Sequence, residues 1–137
     1  MPHKDFSHRL LVDKLSIKTG MRIAVLGIAD VGFLEDRTTD LSTRLRKDCD
    51  VVLLSVENTA GLSRIPACVK SLKPAGGLWI VYPKGRKDIT EAQVMEAGLA
   101  TGLVDNKVCS FSATHTALRF VLRVKDRPPG QRPAVSA

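Results

Sequence analysis

Arg22-Ile23-Ala24-Val25-Leu26-Gly27, followed by Ile28-Ala29-Asp30-Val31-Gly32, decides the fold. An apolar run ends in a glycine. A parallel strand covered on both faces ends this way when its loop turns sharply, because glycine reaches positive φ without strain. Residues 21–27 therefore read as the first strand. Asp50-Val51-Val52-Leu53-Leu54-Ser55-Val56 has the same character, β-branched and apolar on both faces. Leu78-Trp79-Ile80-Val81-Tyr82 is a third such run, ending in Pro83-Lys84-Gly85.

Between these strands the spacing predicts helices. Leu62, Ile65, Val69 and Leu72 repeat at helical period, with Pro66 tolerated in a first turn near Ser63. Lys73-Pro74-Ala75-Gly76-Gly77 reads as a stop and turn. Thr90-Glu91-Ala92-Gln93 is a capping box, opening a helix through Val94, Met95, Ala97 and Leu99 to Gly102. Residues 5–15 read as an amphipathic helix with Leu10, Leu11 and Leu15 inward. Residues 103–111 and 117–124 are strands with no room for a crossover helix, so they pair antiparallel around Ser112-Ala113-Thr114-His115-Thr116. The stretch 30–49 is too short for a full strand–helix–strand unit. It holds a helical turn near 33–37 and a short polar edge strand near 42–46.

The expectation is one α/β domain over residues 1–126, a Rossmann-like three-layer sandwich. Its sheet is mostly parallel, with an antiparallel hairpin at its C-terminal end and a shortened N-terminal half. Residues 127–137, with Pro128-Pro129-Gly130 and Pro133, read as a disordered basic tail. A chain of 137 residues buries roughly 68% of its unfolded surface on folding, enough for a core without staples. Aromatic residues are 4%, so few rings are available to stack on bases. Cys49, Cys68 and Cys109 are widely spaced, which suggests neither a disulfide framework nor a metal site. Met1-Pro2-His3-Lys4-Asp5 precedes no apolar run, and the longest apolar run is far below bilayer length, so a soluble cytoplasmic protein without membrane contact is expected. The net charge of +7 permits nonspecific attraction to nucleic acid or another polyanion. The shortened polar side of the sheet leaves an edge that must be covered or blunted, so a homodimer is an expectation.

Two stretches carry a resemblance. Lys18-Thr19-Gly20-Met21-Arg22-Ile23-Ala24-Val25-Leu26-Gly27 and Leu72-Lys73-Pro74-Ala75-Gly76-Gly77-Leu78-Trp79-Ile80 resemble the first and fifth strands of class I S-adenosylmethionine-dependent methyltransferases. Tyr82-Pro83-Lys84-Gly85, Gly102-Leu103-Val104-Asp105-Asn106-Lys107-Val108-Cys109 and Leu118-Arg119-Phe120-Val121 resemble, in order, a family of short uncharacterised bacterial proteins with a methyltransferase-like core. The resemblance implies a methyltransferase-like fold and S-adenosylmethionine as the cofactor to consider. It also implies a richer glycine loop than Gly27-Ile28-Ala29-Asp30, an acid after the second strand for the ribose, and an aromatic residue where His115 stands. Only Asp36, Asp40 and Asp48 are available as that acid.

In an open α/β sheet, ligands bind beyond the carboxyl ends of the strands where strand order reverses. Gly27, Ile28, Asp30, Ser55 and Glu57 are the candidate cofactor-binding residues on that rule, with Ala29 and Asn58 beside them. The plain alternative is that Gly27 and Gly32 only make a tight turn. Lys84, Gly85, Arg86 and Lys87 are the candidate anion-binding loop, three cations around a glycine; the plain alternative is a solvated loop. His115 has the chemistry of a general base, yet no acid or nucleophile stands beside it in sequence. No catalytic set emerges. The functional expectation is a non-catalytic binding or accessory domain on a methyltransferase-like scaffold, recognising a small molecule or a protein. The alternatives are a divergent S-adenosylmethionine-dependent methyltransferase, and nucleic-acid or polyanion binding through the basic loop and tail.

Overall fold

The computed structural model describes residues 10–127. Ile23–Leu26 (β1), Leu41–Ser42 (β2), Cys49–Ser55 (β3) and Leu72–Pro83 (β4) run parallel. Leu103–Ser110 (β5) and His115–Leu122 (β6) form the hairpin, and β6 runs antiparallel to both β4 and β5. The order across the sheet is β2-β1-β3-β4-β6-β5. Chain direction across the sheet therefore reverses between β1 and β3. Helices Leu11–Lys14 (α1), Gly32–Glu35 (α2), Ile65–Lys70 (α3) and Glu91–Leu99 (α4) supply the outer layers.

Side chains alternate between two cores. Ile23, Val25, Val51, Leu53, Trp79 and Val81 point to one face, under Val12, Leu15, Ile17 and Leu34. Ala24, Leu26, Val52, Leu54, Leu78 and Ile80 point to the other, under Ile65, Cys68 and Val94. This is why β1, β3 and most of β4 read as unbroken apolar runs. The two faces meet different helices, and the domain is a three-layer sandwich.

The structure adjusts several boundaries. Residues 1–9 lie outside the described residues, so the helix expected over 5–15 is seen only as α1. Its inward residues are Val12 and Leu15, while Leu10 is 63% exposed. The edge strand begins earlier than 42–46 and spans two residues paired to β1, with the Arg44–Arg46 stretch leaving the sheet. Lys73-Pro74-Ala75-Gly76 is not a turn before a strand. It lies within β4, where the register to β3 jumps from Cys49↔Leu72 to Val51↔Gly77. The helix before it is a 3-10 segment, Thr59–Arg64, leading into α3 with Pro66 in the first turn. In α4 the inward pair is Val94 and Gly98, and Leu99 faces out. His115 and Thr116 belong to β6 rather than to the turn. The tail expected over 127–137 lies outside the described residues beyond Arg127. Among the described residues no helix is long and apolar enough to cross a membrane.

Candidate functional site

The carboxyl ends of β1, β3 and β4 meet the start of β6 at one edge of the sheet. Antiparallel pairing puts them together: Pro83, at the end of β4, stands opposite His115. Backbone bonds Val56 N–H to Val81 O (2.8 Å) and Lys84 N–H to Thr114 O (2.9 Å) hold the loops.

Gly27 ends β1 with φ +85°. A Cβ there would meet Ser55 O at 3.2 Å and Ser55 Cβ at 3.3 Å. The glycine is thus needed twice, for the left-handed turn and for close approach to β3. Asp30 caps the turn that follows, its Oδ1 accepting from the Gly32 N–H at 3.0 Å. Beside Gly27 opens a hollow of about 240 Å³, lined among others by Ile28, Ser55, Glu57, Phe111 and His115. The fold therefore brings together four of the five candidate residues, Gly27, Ile28, Ser55 and Glu57. Asp30 stays in the turn.

The fold also joins residues that are remote in sequence. His115 Nε2 lies 2.8 Å from Glu57 Oε2, and its Nδ1 lies 2.8 Å from Thr114 Oγ1. With the carboxylate accepting, Nε2 is the donor and Nδ1 accepts the Thr114 hydroxyl hydrogen. Both ring nitrogens are engaged, which fixes the orientation of the imidazole. The Glu57 side chain is 56% exposed, and this carboxylate is the polar group offered to the hollow. Arg86 stands on its other side, with Nη1 3.9 Å from Glu57 Oε1. The pairing follows from topology: a residue just past a parallel strand and the first residue of an antiparallel neighbour share the carboxyl edge. The sequence carried both residues, but their contact spans 58 positions.

The basic loop is not a bare cation cluster. Lys84 Nζ donates to Ser110 Oγ at 2.9 Å. Arg86 forks onto Asp88, Nε to Oδ1 at 2.9 Å and Nη2 to Oδ2 at 2.5 Å. This fork holds the Asp88 carboxyl below its usual range and raises Arg86. Gly85 turns the loop with φ +66°, and Lys87 is exposed.

S-adenosylmethionine fits this edge at one end only. Glu57 suits a cationic amine or sulfonium. At the ribose end, none of the three acids stands at the carboxyl end of β2. Asp40 precedes β2, clamped by Arg46 and by Arg22 Nε at 3.1 Å, and these partners pull its carboxyl below the usual range, Arg46 most. Asp48 precedes β3, and Asp36 follows α2 at the opposite edge of the sheet. The hollow is also smaller than the roughly 300 Å³ at which small-molecule pockets begin. The residues of this chain do not complete a site for the cofactor, and no transfer step follows from them.

No family model and no curated protein matches the chain. Solved structures do. A TehB-like S-adenosylmethionine-dependent methyltransferase from Corynebacterium glutamicum is 14% identical, with a TM-score of 0.55 over 82% of this chain and 85% of that one. Magnesium protoporphyrin IX methyltransferase from Synechocystis, solved with bound S-adenosylmethionine, is 13% identical, with a TM-score of 0.57 over 82% and 74%. The fibrillarin pre-rRNA processing protein of Methanococcus jannaschii is 13% identical, with a TM-score of 0.56 over 77% and 68%. The core of this chain is a methyltransferase-like Rossmann fold.

Proposed function

We propose that this chain is a divergent S-adenosylmethionine-dependent methyltransferase that binds the cofactor at the Gly27–Glu57 hollow, with a second component completing the site. One observation carries the reading: the hollow lies over the reversal between β1 and β3, where open α/β sheets bind ligands, and presents one exposed carboxylate. The likeness to S-adenosylmethionine-dependent enzymes favours this reading over a purely accessory role. Absence of a ribose carboxylate removes roughly 1.5–3 kcal/mol, a weakening of about ten- to a hundredfold. Isothermal titration should accordingly give a Kd of about 10 μM to 1 mM for S-adenosylmethionine or S-adenosylhomocysteine, in the upper part of the usual range of substrate constants. Glu57→Gln should weaken the methionine-bearing ligand further. Absence of heat at millimolar cofactor refutes the reading.

A second reading has its own support. No acid stands at the carboxyl end of β2, and the hollow is smaller than ordinary small-molecule pockets. These favour a non-catalytic binding domain that has kept the scaffold, and the same titration separates the two. Three free cysteines fit a reducing, cytoplasmic setting.

A further inference from the structure

The opposite face of the same edge carries a second hollow, of about 310 Å³. Tyr82, Lys84, Arg86, Thr90, Glu91 and Thr116 supply its polar lining. Tyr82 alternates with Val81 on β4 and Thr116 with His115 on β6, so this space lies under α4, while the Gly27 hollow lies on the α1 side. The Glu57–Arg86 contact separates the two.

Three features here converge on an anion. The basic loop forms one wall: Arg86 spends two of its five donors on Asp88 and turns Nη1 toward Glu57 Oε1 at 3.9 Å, while Lys84 gives one of its three donors to Ser110 and keeps two to offer. The start of α4, a nine-residue helix, forms another. Its Thr90 cap takes the Gln93 N–H at 3.2 Å, and the Glu91 amide keeps the free donor that a first helical turn presents to anions. The third is independent of both. Tyr82 is only 5% exposed, and its hydroxyl makes no hydrogen bond among the described residues. The side chain is buried along its ring and reaches solvent at its hydroxyl, which opens into the hollow that Tyr82 lines.

We propose that this hollow is a second ligand site. It holds the phosphate of a small phosphate monoester between Lys84, Arg86 and the start of α4, with the Tyr82 hydroxyl donating to the ligand. Glu91, which also lines the hollow, tempers the affinity. The inference does not depend on the cofactor reading, because Gly27, Ile28 and Ser55 take no part in it.

Titration of the isotope-labelled chain with glycerol 3-phosphate, followed by amide NMR shifts, tests it. Glycerate and glycerol serve as carboxylate and neutral controls. Saturable shifts at Gly85, Thr90 and Glu91 are expected with the phosphate. Tyr82→Phe removes one hydrogen bond and should weaken binding about three- to tenfold. Lys84→Met, an exposed change, should weaken it at least as much, and Glu91→Gln should tighten it. Glycerate binding as tightly as glycerol 3-phosphate overturns the phosphate assignment. Linear, unsaturable shifts overturn the site, as does an affinity that ignores both Tyr82→Phe and Lys84→Met. S-adenosylhomocysteine titrated into the same two variants reads the other hollow and should be unaffected.

Discussion

Gly98→Ala should destabilise this protein, against the ordinary rule for helices. In an exposed helix interior, glycine is less favourable than alanine by about 1 kcal/mol, so the change usually stabilises. Gly98 is instead the inward residue of α4, seated on the Phe120 ring. An added Cβ would lie 2.6 Å from Phe120 Cδ2, and nearer still to Cε2 and Cζ. Carbon atoms pack at about 3.5–4.0 Å, so the two must part by about 1 Å or more. Phe120 has nowhere to go: it is fully buried, opposite Leu78 on β4 and Asp105 on β5. The helix has to lift, loosening Val94 and Met95 from the core. Overpacking of this kind costs about 1–3 kcal/mol, which offsets or exceeds the helix gain. A clash this deep against a ring that cannot move belongs to the upper part of that range, about 2–3 kcal/mol, so after the helix gain of about 1 kcal/mol the net expected loss is about 1–2 kcal/mol. With a urea m-value of about 2 kcal/mol/M, the unfolding midpoint should fall by about 0.5–1 M. A midpoint equal to the parent's, or higher, refutes the reasoning. Because α4 carries Thr90 and Glu91, the amide shifts of both should also move.

Two further outcomes are expected. Burial pushes the Cys68 thiol up to about 11 from 9.0; the native state keeps the proton that the unfolded chain releases, so stability is full below pH 9 and lost as pH rises through 11. About 2–3 kcal/mol is at stake, and Cys68→Ala, less stable at pH 7, should show a smaller loss between pH 9 and 11; parallel urea curves at both pH values contradict this. Trp79→Phe removes the Nε1–H bond to Leu15 O, at 3.0 Å in the buried core, and should cost about 2 kcal/mol through the orphaned carbonyl and lost volume; faster hydrogen exchange around Leu15 and Ile17 is the accompanying sign that α1 has loosened.

Much of the architecture was readable from local pattern. Ile23–Leu26 and Cys49–Ser55 announce buried strands because helices cover both faces, which removes any polar alternation. The Thr90–Gln93 box forms as expected because its reciprocal bonds involve only near neighbours. The readings that needed correction depend on distant packing. Gly98 faces inward because the Phe120 ring fills the space a side chain would take, although its apolar neighbour Leu99 looks the better core residue. Lys73-Pro74-Ala75-Gly76 looks like a turn, and only the register of β3 makes it an irregular part of β4.

The site divides the same way. The sequence by itself determined the parallel strands, the glycine that ends the first of them and the shortage of chain after it, while the structure decided that none of Asp36, Asp40 and Asp48 stands at the carboxyl end of β2. The strands, the glycine and the short chain follow from burial, backbone freedom and chain length, all written in consecutive residues. Only the tertiary structure decided that Glu57 meets His115, that Arg86 is turned to Glu57, and that the Tyr82 hydroxyl, without a hydrogen bond among the described residues, faces a basic hollow. Each of these depends on β6 running antiparallel beside β4 or on α4 closing over it, and side chains so far apart in sequence acquire a common environment only when the sheet is assembled.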